Sequence, residues 1–118
     1  MNIEAQKRLR DITDACAAAG RFTAGKNFSD YEADEMLRAA VERKLSVIGE
    51  AFNQLEVADA SVTEKFPELR KIIGLRKIIG LRNRIVHGYD SVDEELVWDV
   101  VQNRLPLLKQ QVDALLKD

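Results

Sequence analysis

Apolar residues recur at spacings of three and four along most of this chain, and this period constrains the fold more than any other sequence feature. The longest stripe consists of Leu37, Val41, Leu45, Ile48, Phe52 and Leu55. Because an α-helix has about 3.6 residues per turn, such a stripe collects on one face that must be buried. Four neighbours widen this face toward a second packing partner: Met36, Ala40, Val47 and Ala51. We therefore expect a long central helix.

Stripes of the same period stand at both ends of the chain. The first comprises Ala5, Leu9, Ile12, Cys16 and Ala19. Gly20 follows it as the expected helix end. The last comprises Val97, Val101, Leu105, Leu108, Val112 and Leu115. Pro106 falls inside this last helix and removes a backbone donor, so a kink is expected near Asn103 to Leu105.

Three Ser-x-x-Glu pairs have the spacing of a capping box and mark expected helix starts: Ser29 with Glu32, Ser61 with Glu64, and Ser91 with Glu94. The first should begin the central helix. The second predicts only a short turn, because Phe66 precedes a proline. Another long helix is expected from about Pro67 to His87, where Gly88 ends it. The short connections favour an all-α, up-and-down bundle of four long helices plus one short helix.

The composition bounds the possible functions. With 118 residues the chain is expected to form a single domain over residues 1–118, and its net charge of -2 shows no global basic excess for nucleic acid. One cysteine and one histidine exclude an intrachain disulfide framework and an ordinary zinc centre in one chain, so we expect no metal and no cofactor. The polar N-terminus and the lack of a long apolar run predict a cytoplasmic protein without membrane contact.

A basic run is concealed by the balanced net charge. From Arg70 to Arg84 the chain has six basic residues and no acidic one, and it repeats the hexapeptide KIIGLR. Six residues turn a helix by about 240° net, so the two copies cannot share a face. A local duplication that lengthens or rotates the helix entry is the interpretation we prefer. A solvated basic face is the ordinary role of such a run.

This run leads into the segment that carries the only histidine. His87 at a helix end can give or take a proton near neutral pH, and Asn83, four residues earlier, can orient its imidazole. Arg82 could stabilise charge developing on phosphate oxygens. These groups suffice for metal-independent RNA cleavage in which the neighbouring 2′-hydroxyl attacks. The alternative is that His87 caps the helix or lies on the surface.

A shared site explains how these side chains could meet. Arg82 and His87 are about 140° apart around one helix, so a phosphate site is built more easily from two copies across a two-fold axis. We therefore expect a homodimer. Further phosphate contacts are expected from Arg84, Arg76 and Lys77.

The pattern Arg82-x4-His87-x-Tyr89, with Asn83 after the arginine, resembles the HEPN superfamily and within it the HepT-like toxins. The resemblance extends from about Tyr31 onward through Ala40–Leu45, Ile48–Ala51, Phe66–Glu68, Ile78–Asn83 and Val97–Trp98. The repeated KIIGLR departs from the family, in which one such stretch precedes the motif. The resemblance implies a dimeric helical bundle and a metal-independent endoribonuclease toxin with catalytic Arg82 and His87 and supporting Asn83.

The resemblance also implies a partner. In this family an MntA-like nucleotidyltransferase antitoxin neutralises the toxin by transferring AMP from ATP to the tyrosine, here Tyr89. Alternatively, Tyr89 could pack over the helix end. The competing function is a non-catalytic helical subunit that binds nucleotide or docks this enzyme.

Four further residues have expected structural roles. We expect Gly49 to allow a close helix crossing and Glu50 to form an ion pair with the basic helix. Trp98 should anchor the core or an interface, and Cys16 should be a small buried hydrophobic residue.

Overall fold

The structure is a computed structural model that describes residues 1–67 and 94–117. In the first part, α1 spans Ile3–Thr23, α2 spans Phe28–Ala33, α3 spans Glu35–Ala58 and α4 spans Ala60–Thr63. In the second part, α5 spans Glu94–Asp99, a π-helical turn spans Val100–Arg104 and α6 spans Leu105–Lys117. No strand occurs in these two ranges, and the fold is an all-α bundle, as predicted.

Polar contacts between the long helices establish their antiparallel arrangement. The Asn2 side chain, which caps α1, donates to the Ala58 carbonyl at the end of α3 over 3.2 Å. At the other end of α1, Gln102 donates to Thr23 Oγ1 over 3.3 Å, whereas Thr13 contacts Asp113 on α6. Helix α3 and the helix formed by α5 and α6 therefore both run antiparallel to α1.

The three apolar stripes form the core, as the sequence predicts. All predicted stripe residues of α1 and α3 are buried, as are those of the last helix except Leu115, which packs partly buried against the core. The widened face of α3 is only partly confirmed: Ala51 is buried, but the Met36 side chain is 82% exposed. Met36 stands in the first turn of α3, where α2 does not cover it.

The central helix begins later than predicted, because a separate short helix precedes it. Asn27 and Asp30 form the capping box of α2, with hydrogen bonds of 2.9 and 3.0 Å, in place of Ser29 and Glu32. Asp34 then accepts a hydrogen bond from the Leu37 N–H at 3.0 Å and begins α3. The amide oxygen of Asn27, two residues before Ser29, and the carboxylate of Asp34, five residues after it, therefore accept from the free N–H groups at the starts of α2 and α3.

Two other helix limits were also wrong. Helix α1 continues through Gly20 to Thr23, and the left-handed residue is Gly25, with φ of 73°. No atom lies within 4 Å of the place where a Cβ would stand at Gly20, so packing does not require a glycine there. The short helix α4 was predicted, but its cap is Asp59, whose side chain accepts from the Ser61 N–H over 3.2 Å.

The predicted distortion before Pro106 is present as a π-helical turn. The Leu105 N–H donates to the Val100 carbonyl five residues back, instead of four as in an α-helix. Since Pro106 has no N–H, the regular ladder cannot continue through it, and the wider turn absorbs the mismatch. Val101 and Leu105 stay buried on either side of this turn.

The remaining fold predictions lie outside the described residues. They are the body of the helix from Pro67 to His87, its end at Gly88, the Ser91 cap and the repeated KIIGLR. In the part of the chain that the structure describes, no helix is both apolar enough and long enough to span a bilayer. The homodimer stays a prediction.

Candidate functional site

Every residue that the sequence analysis assigns to the site lies between the two described ranges. The predicted catalytic set is Arg82, Asn83 and His87, and the predicted AMP acceptor is Tyr89. The predicted phosphate contacts are Arg76, Lys77 and Arg84. All seven lie outside the described residues, so their roles stay predictions. The structure does describe how the chain is held immediately before and after this segment.

The chain is anchored in the core just before the segment. Phe66 is only 2% exposed and belongs to the main hydrophobic cluster. Its N–H donates to the Thr63 carbonyl at 3.1 Å, and Thr63 is itself buried at the end of α4. The short helix α4 and the buried phenyl ring therefore fix the position from which residue 67 continues.

An aromatic cluster anchors the chain after the segment. Trp98 on α5 packs against Tyr31 of α2, with ring centroids 5.3 Å apart and planes tilted by 39°. Phe28, one turn earlier on α2, meets the same indole edge-on at 6.4 Å. Both distances lie in the range in which aromatic pairs attract beyond simple burial. Trp98 therefore fastens α5 to the short helix α2, which agrees with its predicted role as a core anchor.

An ion pair lies one turn before Trp98, at the first residue of α5. Glu94 Oε1 is 3.7 Å from Nε of Arg38 on α3, and the two side chains are only 18% and 25% exposed. Arg38 Nη1 also donates to the Glu32 carbonyl near the end of α2. The guanidinium thus connects three helices at the place where the segment rejoins the described fold. We call Tyr31, Arg38, Glu42 and Glu94 the junction cluster.

The junction cluster places acidic groups close together in a poorly hydrated region. Burial raises the pKa of Glu42, and the charge of Glu94 raises it further, while Arg38 opposes the shift. Burial also raises the pKa of the Tyr31 phenol, with added contributions from Glu94 and Glu42. The Tyr31 hydroxyl therefore stays protonated at neutral pH. It lies near Glu94 without a hydrogen bond of normal geometry to the described residues.

Most of this cluster was not predicted from the sequence. Tyr31 was not assigned to the core, Arg38 was given no role, and Glu94 was interpreted only as a capping residue. One signal was available: Arg38 and Glu42 each directly follow a core residue of α3 and are spaced four apart. They therefore share a face at the edge of the buried stripe. No sequence pattern, however, identifies Glu94 as their neighbour, because it follows Glu42 by 52 residues and Arg38 by 56.

Three more residues with predicted structural roles lie in the described helices: Cys16, Gly49 and Glu50. Cys16 is 4% exposed, and burial raises the pKa of its thiol to about 12, so it is the small buried residue that was expected. Gly49 is buried in α3. Glu50 lies 4.0 Å from Arg43 of its own helix. The predicted partner of Glu50 on the basic helix lies outside the described residues.

No group of three or more histidine, cysteine or carboxylate side chains suited to a metal ion occurs in residues 1–67 and 94–117. The junction cluster itself offers two carboxylates beside a guanidinium, a charge arrangement that disfavours a cation.

Comparison with known families decides the assignment of the fold. The family model described as "Ribonuclease HepT-like" matches residues 12–115 of this chain. The chain belongs to the HepT-like family. The match includes the whole segment from Arg82 to Tyr89 and the junction cluster. It confirms the resemblance to HEPN proteins that was drawn from the motif.

Several curated proteins resemble this HepT-like chain over almost its full length. "Putative RNase MJ1380" of Methanocaldococcus jannaschii is 30% identical over 91% of this chain and 92% of its own length. "Probable ribonuclease HepT" of Thermococcus cleftensis is 30% identical over 92% of this chain and 93% of its own. "Putative RNase TTE0752" of Caldanaerobacter subterraneus is 28% identical over 92% and 91%. A search of the solved structures gives no significant match.

Proposed function

We propose that this HepT-like protein is an endoribonuclease that cleaves RNA without a metal ion. The observation that carries the proposal is the family match, whose range of residues 12–115 includes the motif Arg82-x4-His87-x-Tyr89. The names of the curated relatives support the same activity. The described helices support it indirectly, because the residues before and after 68–93, the motif-bearing segment, belong to elements packed in the core.

The proposed reaction is attack of an RNA 2′-hydroxyl on its own 3′-phosphate. His87 accepts the hydroxyl proton or returns one to the departing 5′-oxygen, and Arg82 stabilises the negative charge on the phosphate oxygens. Asn83 orients the imidazole. The products are a 2′,3′-cyclic phosphate and a free 5′-hydroxyl, with no net change in protons. Because the nucleophile belongs to the substrate, no activated water is required.

The first experiment compares purified wild type with His87→Ala and Arg82→Ala on a labelled RNA in excess chelator. General acid–base catalysis contributes about 10²–10⁴-fold, so His87→Ala should lose at least 100-fold in rate. Arg10→Ala, on the exposed side of α1, is the matched arginine control and should cleave normally. A single 2′-deoxy nucleotide at the scissile position should block cleavage. Equal rates for wild type and His87→Ala would contradict the proposal.

We further propose that an MntA-like nucleotidyltransferase silences the enzyme through Tyr89. The phenol oxygen attacks the α-phosphate of ATP, pyrophosphate leaves, and the phenol loses its proton. The attached nucleotide places a bulky anion beside Arg82, where it competes with RNA for the same positive charge. This protein would then be the toxin of a toxin–antitoxin pair.

The chain has only two tyrosines, which makes the acceptor easy to test. After incubation with the nucleotidyltransferase, ATP and magnesium, intact mass should show AMP additions to wild type and Tyr31→Phe but not to Tyr89→Phe. Tyr31 is fully buried and serves as the matched control. AMP retained in Tyr89→Phe, or none on wild type, would reject this acceptor. AMP addition without any RNA cleavage by wild type would instead favour a non-catalytic docking subunit.

The proposed homodimer and phosphate contacts have separate tests. Light scattering at assay concentration should give twice the mass of the 13.3 kDa chain, and a monomer would exclude a shared cleft. Neutralising Arg76, Lys77 or Arg84 should weaken RNA binding and lower the slope of log affinity against log salt by about one unit each. An unchanged slope would remove that residue from the interface.

A further inference from the structure

The junction cluster is placed to act on the motif through the polypeptide itself. Glu94, the first residue of α5, follows Tyr89 by five residues and His87 by seven. A fully extended chain covers at most about 3.6 Å per residue, so Tyr89 cannot lie farther than roughly 18 Å from Glu94. The position of Glu94 therefore limits where Tyr89 can lie.

Two contacts of different kinds hold the start of α5. Glu94 and Trp98 are four residues apart and so lie on one face of the helix. Trp98 packs on Tyr31, whereas Glu94 pairs with Arg38 at 3.7 Å. The aromatic contact supplies burial, which is tolerant of small rotations. The ion pair restrains the first turn by charge attraction, which is stronger between two poorly hydrated groups than between exposed ones.

The position of the ion pair is not what stability alone would favour. Arg38 faces two carboxylates, Glu94 and Glu42, and both arginine and Glu94 are largely removed from water. Desolvating charges costs free energy, and an apolar pair of similar volume is often as stable. Charged clusters that reduce stability in this way are enriched near functional sites. Glu94 directly follows the segment that carries the motif, so this charged cluster lies where it can influence how that segment is held.

We propose that the Arg38–Glu94 ion pair is a positioning device that sets where the segment bearing Arg82, His87 and Tyr89 joins the last helix. The inference rests on the proposed ribonuclease function and extends it to two residues outside the motif. Neither side chain touches the scissile phosphate in this proposal. Both act by holding the reacting groups in register, and misplacement by about 1 Å can reduce a rate by two orders of magnitude.

The experiment is a double-mutant cycle on the full chain with Glu94→Gln, Arg38→Met and the double variant. We expect each single change to lower kcat for RNA cleavage by about tenfold or more while KM changes less than twofold. The two effects should be less than additive in the double variant, because both remove the same interaction. Arg38→Lys, which keeps the charge, should recover part of kcat.

The matched control is an ion pair in the same part of the chain. Asp99 Oδ2 lies 3.6 Å from Arg104 Nε, almost the same separation as between Arg38 and Glu94. Asp99→Asn should leave kcat within twofold of wild type. Thermal unfolding of every variant is measured first, and assays are run well below the lowest Tm. An equal fall of kcat in Asp99→Asn and Glu94→Gln would show a general stability effect and overturn the proposal.

Hydrogen exchange separates this inference from the proposed function. Peptides covering residues 82–93 should exchange faster in Glu94→Gln than in wild type and Asp99→Asn. If wild type does not cleave RNA, the proposed function fails, and unchanged exchange would then also reject the positioning role. If wild type cleaves RNA but Glu94→Gln has normal kcat and normal exchange, the function stands and the positioning role is wrong.

Discussion

Two carboxylates in this molecule experience opposite environments. Asp113 on α6 accepts a hydrogen bond from Lys109 over 2.6 Å and another from Thr13 on α1 over 2.5 Å. These two donors lower the pKa of Asp113. Glu42 in the junction cluster is partly buried beside Glu94, and its pKa is raised despite the nearby Arg38.

The difference separates a stabilising contact from a functional candidate. At the α1–α6 contact the ionised carboxylate is favoured, so the fold gains free energy from it. In the junction cluster the ionised form is disfavoured, so the fold loses free energy by keeping Glu42 there. Asp113 lies on α6 and pairs with α1, whereas the junction cluster adjoins the motif. The costly arrangement is thus the one next to the proposed site.

A change in the apolar core should reduce the free energy of unfolding more than a change near Asp113 or Glu42, so Leu45→Ala should have the largest effect. Leu45 is fully buried on α3, so its loss removes contacts and leaves a cavity. We expect a decrease of about 3 kcal/mol in the free energy of unfolding, measured in urea. Val57→Ala on the same helix, where the side chain is 91% exposed, should change it by less than about 0.5 kcal/mol. Similar losses would show that α3 is not packed as described.

Thr13→Val should have the next largest effect, because it removes one donor from Asp113. We expect a loss of about 1 kcal/mol at neutral pH. The folded pKa of Asp113 is lowered, so this stabilisation is present above the ordinary carboxylate range and disappears as pH falls through the folded pKa. Urea unfolding at several pH values measures the trend. A loss that stays constant into acid, or a Thr13→Ser variant as unstable as valine, would contradict the hydrogen bond.

Glu42→Gln should change stability in the direction opposite to Thr13→Val, because it should stabilise the protein relative to wild type. Because the folded pKa of Glu42 is raised, the native state holds its proton more tightly than the unfolded state. Wild type should therefore lose stability as pH rises from the ordinary carboxylate pKa through the raised value. The glutamine variant lacks this loss and should gain relative to wild type over the same window. A difference that moves the other way would show that Arg38 outweighs burial.

Tyr31→Phe should have the smallest effect. The Tyr31 hydroxyl is buried without a normal hydrogen bond to the described residues, and the ring contact with Trp98 needs no hydroxyl. Removing an unpaired hydroxyl breaks no hydrogen bond, so we expect no loss of stability greater than about 0.5 kcal/mol. Equilibrium unfolding followed by Trp98 fluorescence measures it directly, since this is the only tryptophan. A loss above about 1.5 kcal/mol would mean that the hydroxyl has a strong partner.

Prediction from sequence succeeded where one local period decided the outcome. The buried stripes of α1, α3 and the last helix follow from apolar spacing alone, and the disturbance before Pro106 follows from its missing N–H. It failed at helix ends, where several side chains compete for the same donors. Asn27, Asp34 and Asp59 cap the helices in place of the predicted serines, because these residues are about as effective at the N-cap as serine and spacing alone does not choose between them.

The family could be recognised from the sequence alone, because the spacing of apolar residues and the order Arg82, Asn83, His87 and Tyr89 do not depend on folding. Only the folded chain brings Arg38 and Glu94 together, because their pairing depends on how α3, α2 and α5 pack. The raised pKa of Glu42 has the same origin, since burial and the nearness of a second carboxylate exist only after packing. Local spacing thus determined the buried faces of the helices, and long-range packing determined which charged side chains meet.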